Sequence, residues 1–229
     1  MINFFRKIRQ KLLSEGNSGK PAWPVGRYLK YAIGEIVLVV IGILIALQIN
    51  NWNQKNINEK KLTLYIESML KDLDLDKARL IECFVADSTK AQTIDSLSDP
   101  LPDFFSASGN PLEVDSLLWS YSIEIHNATY NSMISSNALE LLENDEIQNE
   151  ISKYYSSMEQ SKRFEDWYVN NSYPLFLEFL SHNQDASFKE ITPYLAILRQ
   201  TSINESRRYR ELIDQNNQLK DLLAEKIKK

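Results

Sequence analysis

Few residues in this chain combine the type and the spacing that chemistry requires. Its two histidines, His126 and His182, are far apart, and neither sits in a His-x-x-x-His or Glu-x-x-His pair. A zinc site of the usual ligands is therefore not expected. An enzyme built on either would need a polar cleft that brings carboxylates to it from elsewhere in the fold. The single cysteine, Cys83, carries no nucleophile signature and rules out an intrachain disulfide. It reads as a small apolar residue on a helix. The acidic run Asp72-Leu73-Asp74-Leu75-Asp76 alternates, so on a helix its carboxylates point to different faces. A calcium loop would also need a glycine and a closing glutamate at set spacing, so the run reads as a solvated face. Gly-rich phosphate loops, Gly-x-Ser-x-Gly elbows and nicotinamide fingerprints are missing. Tyr154, Tyr155, Phe164, Trp167, Tyr168, Tyr173, Phe176 and Phe179 could line a ligand pocket, but core packing is their expected use. The chain is expected not to be an enzyme and to need neither cofactor nor metal.

Charge says more. The formal net charge is −5, yet the two ends of the chain differ in sign. Residues 1–30 hold Arg6, Lys7, Arg9, Lys11, Lys20, Arg27 and Lys30 against the lone acid Glu15. Everything beyond is strongly acidic, so the large domain lacks the basic face that phosphate backbones require. Nucleic acid is not an expected partner. The sharp asymmetry implies two different surroundings.

A membrane segment separates them. Ile36 to Leu47 (IVLVVIGILIAL) contains no polar side chain. Extended to Tyr31 and Ile49, the run spans roughly 28 Å as a helix, close to the hydrocarbon thickness of a bilayer. Tyr28 and Tyr31 flank one end and Trp52 the other, as in an aromatic belt. Arg27 and Lys30 lie on the N-terminal side and only Lys55 close by on the other, which places the N-terminus in the cytoplasm. No small-x-small cleavage site follows the run, so a retained anchor is expected rather than a removed signal. Glu35 is the one ionisable residue in the span, near its cytoplasmic edge. Gly34, Gly42 and Ala46 share a stripe that would let a second helix approach closely. These four residues form a candidate contact surface between membrane helices.

Ahead of the span, Phe5, Ile8 and Leu12 recur at helical spacing among Arg6, Lys7, Arg9 and Lys11. Such a basic amphipathic helix suits an anionic leaflet. Glu15–Gly26 holds three glycines and two prolines and reads as a linker.

Beyond Trp52 the periodicity is helical. Leu62, Ile66, Met69, Leu73, Leu80 and Phe84 mark one stripe, interrupted by Asp76, on a helix expected to reach about Thr89 or further. Asp95–Pro111 reads as a loop, Leu112–Ile123 as a short helix, and His126–Asn127 as a turn. Helices are then expected over Thr129–Glu143, Asp145–Ser172 and Leu175–Ser181, with a loop at Asn183–Ser187. The apolar marks of the 145–172 helix include Ile147, Ile151, Tyr154, Tyr155, Met158, Phe164 and Trp167. Two last helices, Phe188–Gln200 and Ser202–Lys228, follow, the second with Tyr209, Leu212, Asn216, Leu219, Leu223 and Ile227 as its buried stripe. A helical bundle buries such stripes most simply.

The opening MINFFRKIRQKLLSEG, the stretch YLKYAIGEIVLVVIGILIALQINNWN and the later TYNSMISSNALELLENDEIQNEISKYY resemble an uncharacterised family of small single-span membrane proteins of Bacteroidota. Asn137 stands where that family commonly has glycine. The resemblance implies a bacterial inner-membrane location with a periplasmic C-terminal domain, and it implies no activity. It also makes Asp95-Ser96-Leu97 and Asp115-Ser116-Leu117 candidate O-glycosylation triplets.

The expected architecture is all-α. It has a cytoplasmic segment at 1–30, a transmembrane helix at 31–52 and a periplasmic helical domain at 53–229. The expected role is a non-enzymatic envelope interaction or scaffold protein. Its partners would be membrane lipid and either its own copies or another envelope protein. The alternative is a sensory or regulatory module whose bundle binds a ligand and signals through a membrane partner.

Overall fold

The computed structural model describes residues 24–97, 117, 121–182 and 188–228. Those residues are almost all helical, without strands. The chain divides into two compact units, Met1–Asn56 and Ile57–Lys229. The first described element, α1, is Pro24–Ser96. Proline at a first helical position costs nothing, because the N–H it lacks would have had no intrahelical partner. No proline and few helix breakers occur between there and Ser96, so the helix runs beyond Thr89 to Ser96, within the expected reach.

In the first unit, α1 carries one window long and apolar enough to cross a membrane, and all of its side chains are exposed. That is compatible with a membrane span by length and composition.

Among the described residues of the second unit, α1 is followed by four helices and a 3-10 turn, apart from the lone helical Leu117. They are α2 (Ala128–Ser135), η1 (Ala138–Leu142), α3 (Asp145–Asn171), α4 (Tyr173–His182) and α5 (Phe188–Lys228). The sequence predicts one helix over Thr129–Glu143, and the structure breaks it. Asn137 takes a left-handed conformation, φ 55°, between α2 and η1. Asparagine tolerates that region better than most side chains. Glu143 repeats the conformation at φ 50°, where glutamate is strained. Asn144 then caps α3, its side-chain oxygen accepting from the Ile147 N–H at 3.2 Å, with Asp145 and Glu146 in the first turn.

The expected break near Thr201 does not occur, and α5 is one helix from Phe188 to Lys228. Thr201 interrupts nothing, since α5 contains no glycine and only Pro193, near its N-terminal end. A proline so early removes at most one intrahelical hydrogen bond. Pro174 explains the join between α3 and α4. Its ring disfavours a helical carbonyl four residues back, and the chain makes a single turn residue at Ser172. Tyr121–Ile123, placed by the sequence in a helix from Leu112, has no helical structure. The remainder of that helix, most of the Asp95–Pro111 loop and the Asn183–Ser187 loop lie outside the described residues, apart from a helical Leu117.

The stripes pack as their spacing requires. Leu62, Ile66, Met69, Leu73 and Leu80 of α1 share a core with Ile151, Tyr154, Tyr155 and Met158 of α3. Tyr209, Leu212, Leu219 and Leu223 of α5 complete it, and Met133 and Leu142 close one side. A smaller cluster joins Ile94, Leu117, Phe176, Ile191, Leu195 and Leu198. Three apolar marks fall outside these cores: Phe164 is half-buried, Trp167 is 55% exposed and Ile227 38%. The aromatics of α3 otherwise serve packing, with Tyr155 stacked on Tyr130 at 4.4 Å and edge-on to Tyr154 at 5.2 Å.

Candidate functional site

Two buried carboxylates organise the polar interior, and both grip the same non-helical segment between Tyr121 and Asn127. Asp76 is fully buried on α1. One of its oxygens accepts from the His126 backbone N–H at 2.8 Å and lies 2.9 Å from His126 Nδ1. The other accepts from the Tyr154 hydroxyl at 3.1 Å. Tyr154 in turn accepts from Asn216 Nδ2 at 3.0 Å, and Asn216 also donates to the Leu73 carbonyl at 2.8 Å. Asn216 Oδ1 is left without a partner. Glu165, on α3, repeats the arrangement. Its Oε2 accepts from the Ile123 N–H at 2.8 Å and the Ser122 hydroxyl at 3.1 Å, and its Oε1 from the Tyr209 hydroxyl at 2.7 Å.

The segment needs this because its own backbone groups have neither helix nor sheet to pair with, and a buried unpaired N–H is costly. Side chains replace the missing ladder. Arg79 Nε donates to the Ser122 carbonyl at 2.9 Å, Tyr155 donates to the His126 carbonyl at 3.3 Å, and Asp72 accepts from the Thr129 N–H at 3.3 Å. α1 and α3 thus hold the non-helical segment directly, and Tyr209 of α5 holds Glu165 in turn. Burial pushes the Asp76 and Glu165 carboxyls above their ordinary range, against the pull of the hydrogen bonds they accept.

These contacts correct the reading of 72–76 as a solvated face. Asp74 is exposed and pairs with Lys220, but Asp76 is buried. The sequence did carry a signal: Leu73, Asp76 and Leu80 keep the spacing of the core stripe. A carboxylate at a core position must find donors, and only a tertiary partner could supply them. Glu165 and Glu205 occupy comparable positions on α3 and α5.

Glu205 belongs to a separate cleft between α1, α3 and α5. Asp87 and Lys90 of α1, Phe164, Glu165, Tyr168 and Val169 of α3, and Thr201, Ser202, Glu205 and Tyr209 of α5 line it. Its accessible space, about 20 Å³, suffices for one or two water-sized groups. Glu205 is 5% exposed, and neither carboxylate oxygen accepts a hydrogen bond. Arg208 Nη1 lies 3.1 Å from Oε1, an ion-pair distance without the alignment of a hydrogen bond. Burial, reinforced by Glu165 and Asp87 and opposed by Arg208, pushes the Glu205 carboxyl up to about 7. Asp87 is also raised by burial, with Lys90 Nζ at 3.4 Å pulling the other way.

Among the described residues no cluster of histidine, cysteine and carboxylates could hold a metal ion. His126 is not isolated, since it pairs with Asp76, but the cleft contains neither histidine. His182 Nδ1 lies 2.9 Å from the Glu178 carbonyl of its own helix. Cys83 is buried, and desolvation pushes its thiol up to about 12.

Gly34, Glu35, Gly42 and Ala46 lie on α1 with exposed side-chain positions. At 3.6 residues per turn they fall within an arc of about 120°. A methyl group added at Gly34 or Gly42 would meet nothing within 4 Å. Arg6, Lys7, Arg9 and Lys11 lie outside the described residues. Of the triplet residues, Asp95 pairs with Arg199, and Ser96 is exposed at the end of α1.

Comparison with known proteins gives one match. Residues 35–108, about a third of the chain, match a family of unknown function (DUF6090). No curated protein and no solved structure matches the chain.

Proposed function

We propose that the chain is a single-span protein of a bacterial inner membrane, non-enzymatic, whose periplasmic helical domain binds another envelope protein or its own copies. Residues 1–30 lie in the cytoplasm, 31–52 in the bilayer and 53–229 in the periplasm. The observation that carries this reading is the apolar window of α1, whose side chains are all exposed. So large an unbroken apolar surface has hydrocarbon as its natural solvent. Arg6, Lys7, Arg9 and Lys11 then meet anionic headgroups on the cytoplasmic side. Gly34, Glu35, Gly42 and Ala46 offer the face on which a neighbouring span packs.

Two of the three buried carboxylates serve the fold. Asp76 and Glu165 have their oxygens committed to backbone and tyrosine donors of the fold. A catalytic carboxylate needs a lone pair or a proton to offer substrate. Crosslinking in intact membranes, followed by purification in mild detergent, tests the reading. It expects a discrete homo-oligomer or a stoichiometric partner. A chain that purifies as a monomer without partner would overturn it.

The second reading, a sensory module, draws on the Glu205 cleft. A ligand held there would bias the packing of three helices, and a membrane partner would carry the signal inward.

A further inference from the structure

The second unit holds two apolar clusters with a polar layer between them. The larger takes Leu62 to Cys83 on α1, Ile147 to Met158 on α3, and Tyr209 to Leu223 on α5. The smaller takes Ile94 of α1, Phe176 of α4, and Ile191, Leu195 and Leu198 of α5, with Leu117. Between the two, the buried residues of the three long helices are polar except Ala91. They are Lys90 on α1, Ser161 and Glu165 on α3, and Ser202, Glu205 and Ser206 on α5. The layer is linked by hydrogen bonds, such as Ser88 to Ser206 at 3.3 Å and Tyr209 to Glu165 at 2.7 Å. Apolar burial is what makes helices fold together, so a break in it is where a bundle divides into units that open separately.

Glu205 is the member of the layer that the fold serves worst. It is buried, and neither carboxylate oxygen accepts a hydrogen bond. Charges of both signs face it. They are Asp87 and Lys90 from α1, Glu165 with Lys162 beside it from α3, and Arg208 on α5, 3.1 Å from Oε1. Tyr168 of α3 and Tyr209 of α5 also line the cleft, and the Tyr209 hydroxyl is given to Glu165. The charges balance in sign, so what an ionised Glu205 lacks is hydration, and water reaches it once the helices part. We propose that the smaller cluster opens as a unit of its own while the larger core stays folded, and that ionisation of Glu205 in the polar layer favours the open form.

The direction follows from burial, which raises the Glu205 carboxyl from 4.5 to about 7 in the closed form. A group raised this way supports the closed form fully below its ordinary value and ceases to as pH rises through the raised one. With the ordinary value restored on opening, the open fraction grows by up to roughly 70-fold between pH 5 and pH 8. Asp87 and Glu165, also raised by burial, act in the same direction.

The test is native-state hydrogen exchange of the full chain in mild detergent, at pH 5 and pH 8, over urea concentrations below the unfolding transition and with rates corrected for chemical exchange. Amides of residues 191–198 should exchange through an opening with a smaller urea dependence than those of residues 209–219 on the same helix. At pH 8 they should be less protected by about tenfold or more. Their protection should fall from pH 5 to pH 8, and Glu205→Gln should shrink that fall by about tenfold or more. Equal urea dependence and equal protection in the two segments would overturn the proposal, because the domain would then open only as a whole. So would protection of 191–198 that does not fall with pH, or that falls undiminished in the variant. If Glu205→Gln does not fold, Glu205→Met, close in length and without charge, takes its place.

Discussion

Replacing Glu205 with glutamine changes a single proton-binding group at nearly constant shape, and the structure sets the sign of the result. Buried beside Glu165 and Asp87, Glu205 holds its proton up to about pH 7, against an ordinary value of 4.5. A carboxyl raised on folding contributes stability that is fully present below its unfolded value and lost as pH rises through its folded one. Here that window runs from about 4.5 to 7. The corresponding linkage is about 3 kcal/mol, to within a factor of two. Glutamine mimics the protonated form at every pH, so the variant escapes the loss. The Arg208 guanidinium is partly exposed, and losing its counterion subtracts little. Urea unfolding of the full chain in mild detergent, from pH 5 to 8.5, should show Glu205→Gln within about 1 kcal/mol of the parent at pH 5 and more stable by about 2–3 kcal/mol at pH 8. A variant less stable than the parent at pH 8, or a difference that does not change with pH, would refute the reasoning.

Other substitutions probe other parts of the fold. Asp76→Ala removes a buried acceptor and orphans the His126 N–H and the Tyr154 hydroxyl, and should cost about 3–5 kcal/mol in denaturant unfolding. Glu143→Gly relieves a glutamate at φ 50° and should stabilise the chain by about 0.5–1 kcal/mol, read as a rise in Tm. Cys83, buried with its thiol pushed up to about 12, should resist maleimide at pH 7.5 until denaturant is added, and should form no disulfide-linked dimer on a non-reducing gel.

The stripes of apolar residues were legible because burial follows helical period. Leu62, Ile66 and Met69 on α1, Ile151 and Met158 on α3, and Leu212, Asn216 and Leu219 on α5 are inside as their spacing requires. The start of α3 at Asn144 was legible for the same local reason, a capping side chain followed by acids. The breaks were not. Asn137 in the left-handed region splits a helix that composition alone would continue, and the last helix runs unbroken through Thr201, where a break was expected. The polar interior was the least legible part. Asp76, Glu165 and Glu205 fit the core spacing, yet their partners lie at distances in sequence that no local pattern encodes, such as Tyr154 for Asp76 and Ile123 for Glu165. A charged residue in register with a core stripe was the available signal, and reading it as an interruption concealed it.

The central claim is the anchor and its direction. It is tested most directly by labelling single cysteines introduced at Ser18 and at the exposed Glu159 with a membrane-impermeant maleimide, in cells whose outer membrane has been permeabilised. The native Cys83 is buried and should stay silent. The account predicts that Glu159→Cys labels in intact spheroplasts and that Ser18→Cys labels only after lysis, with the chain in the membrane fraction throughout. Labelling in the opposite order, or recovery of the chain in the soluble fraction, would contradict it.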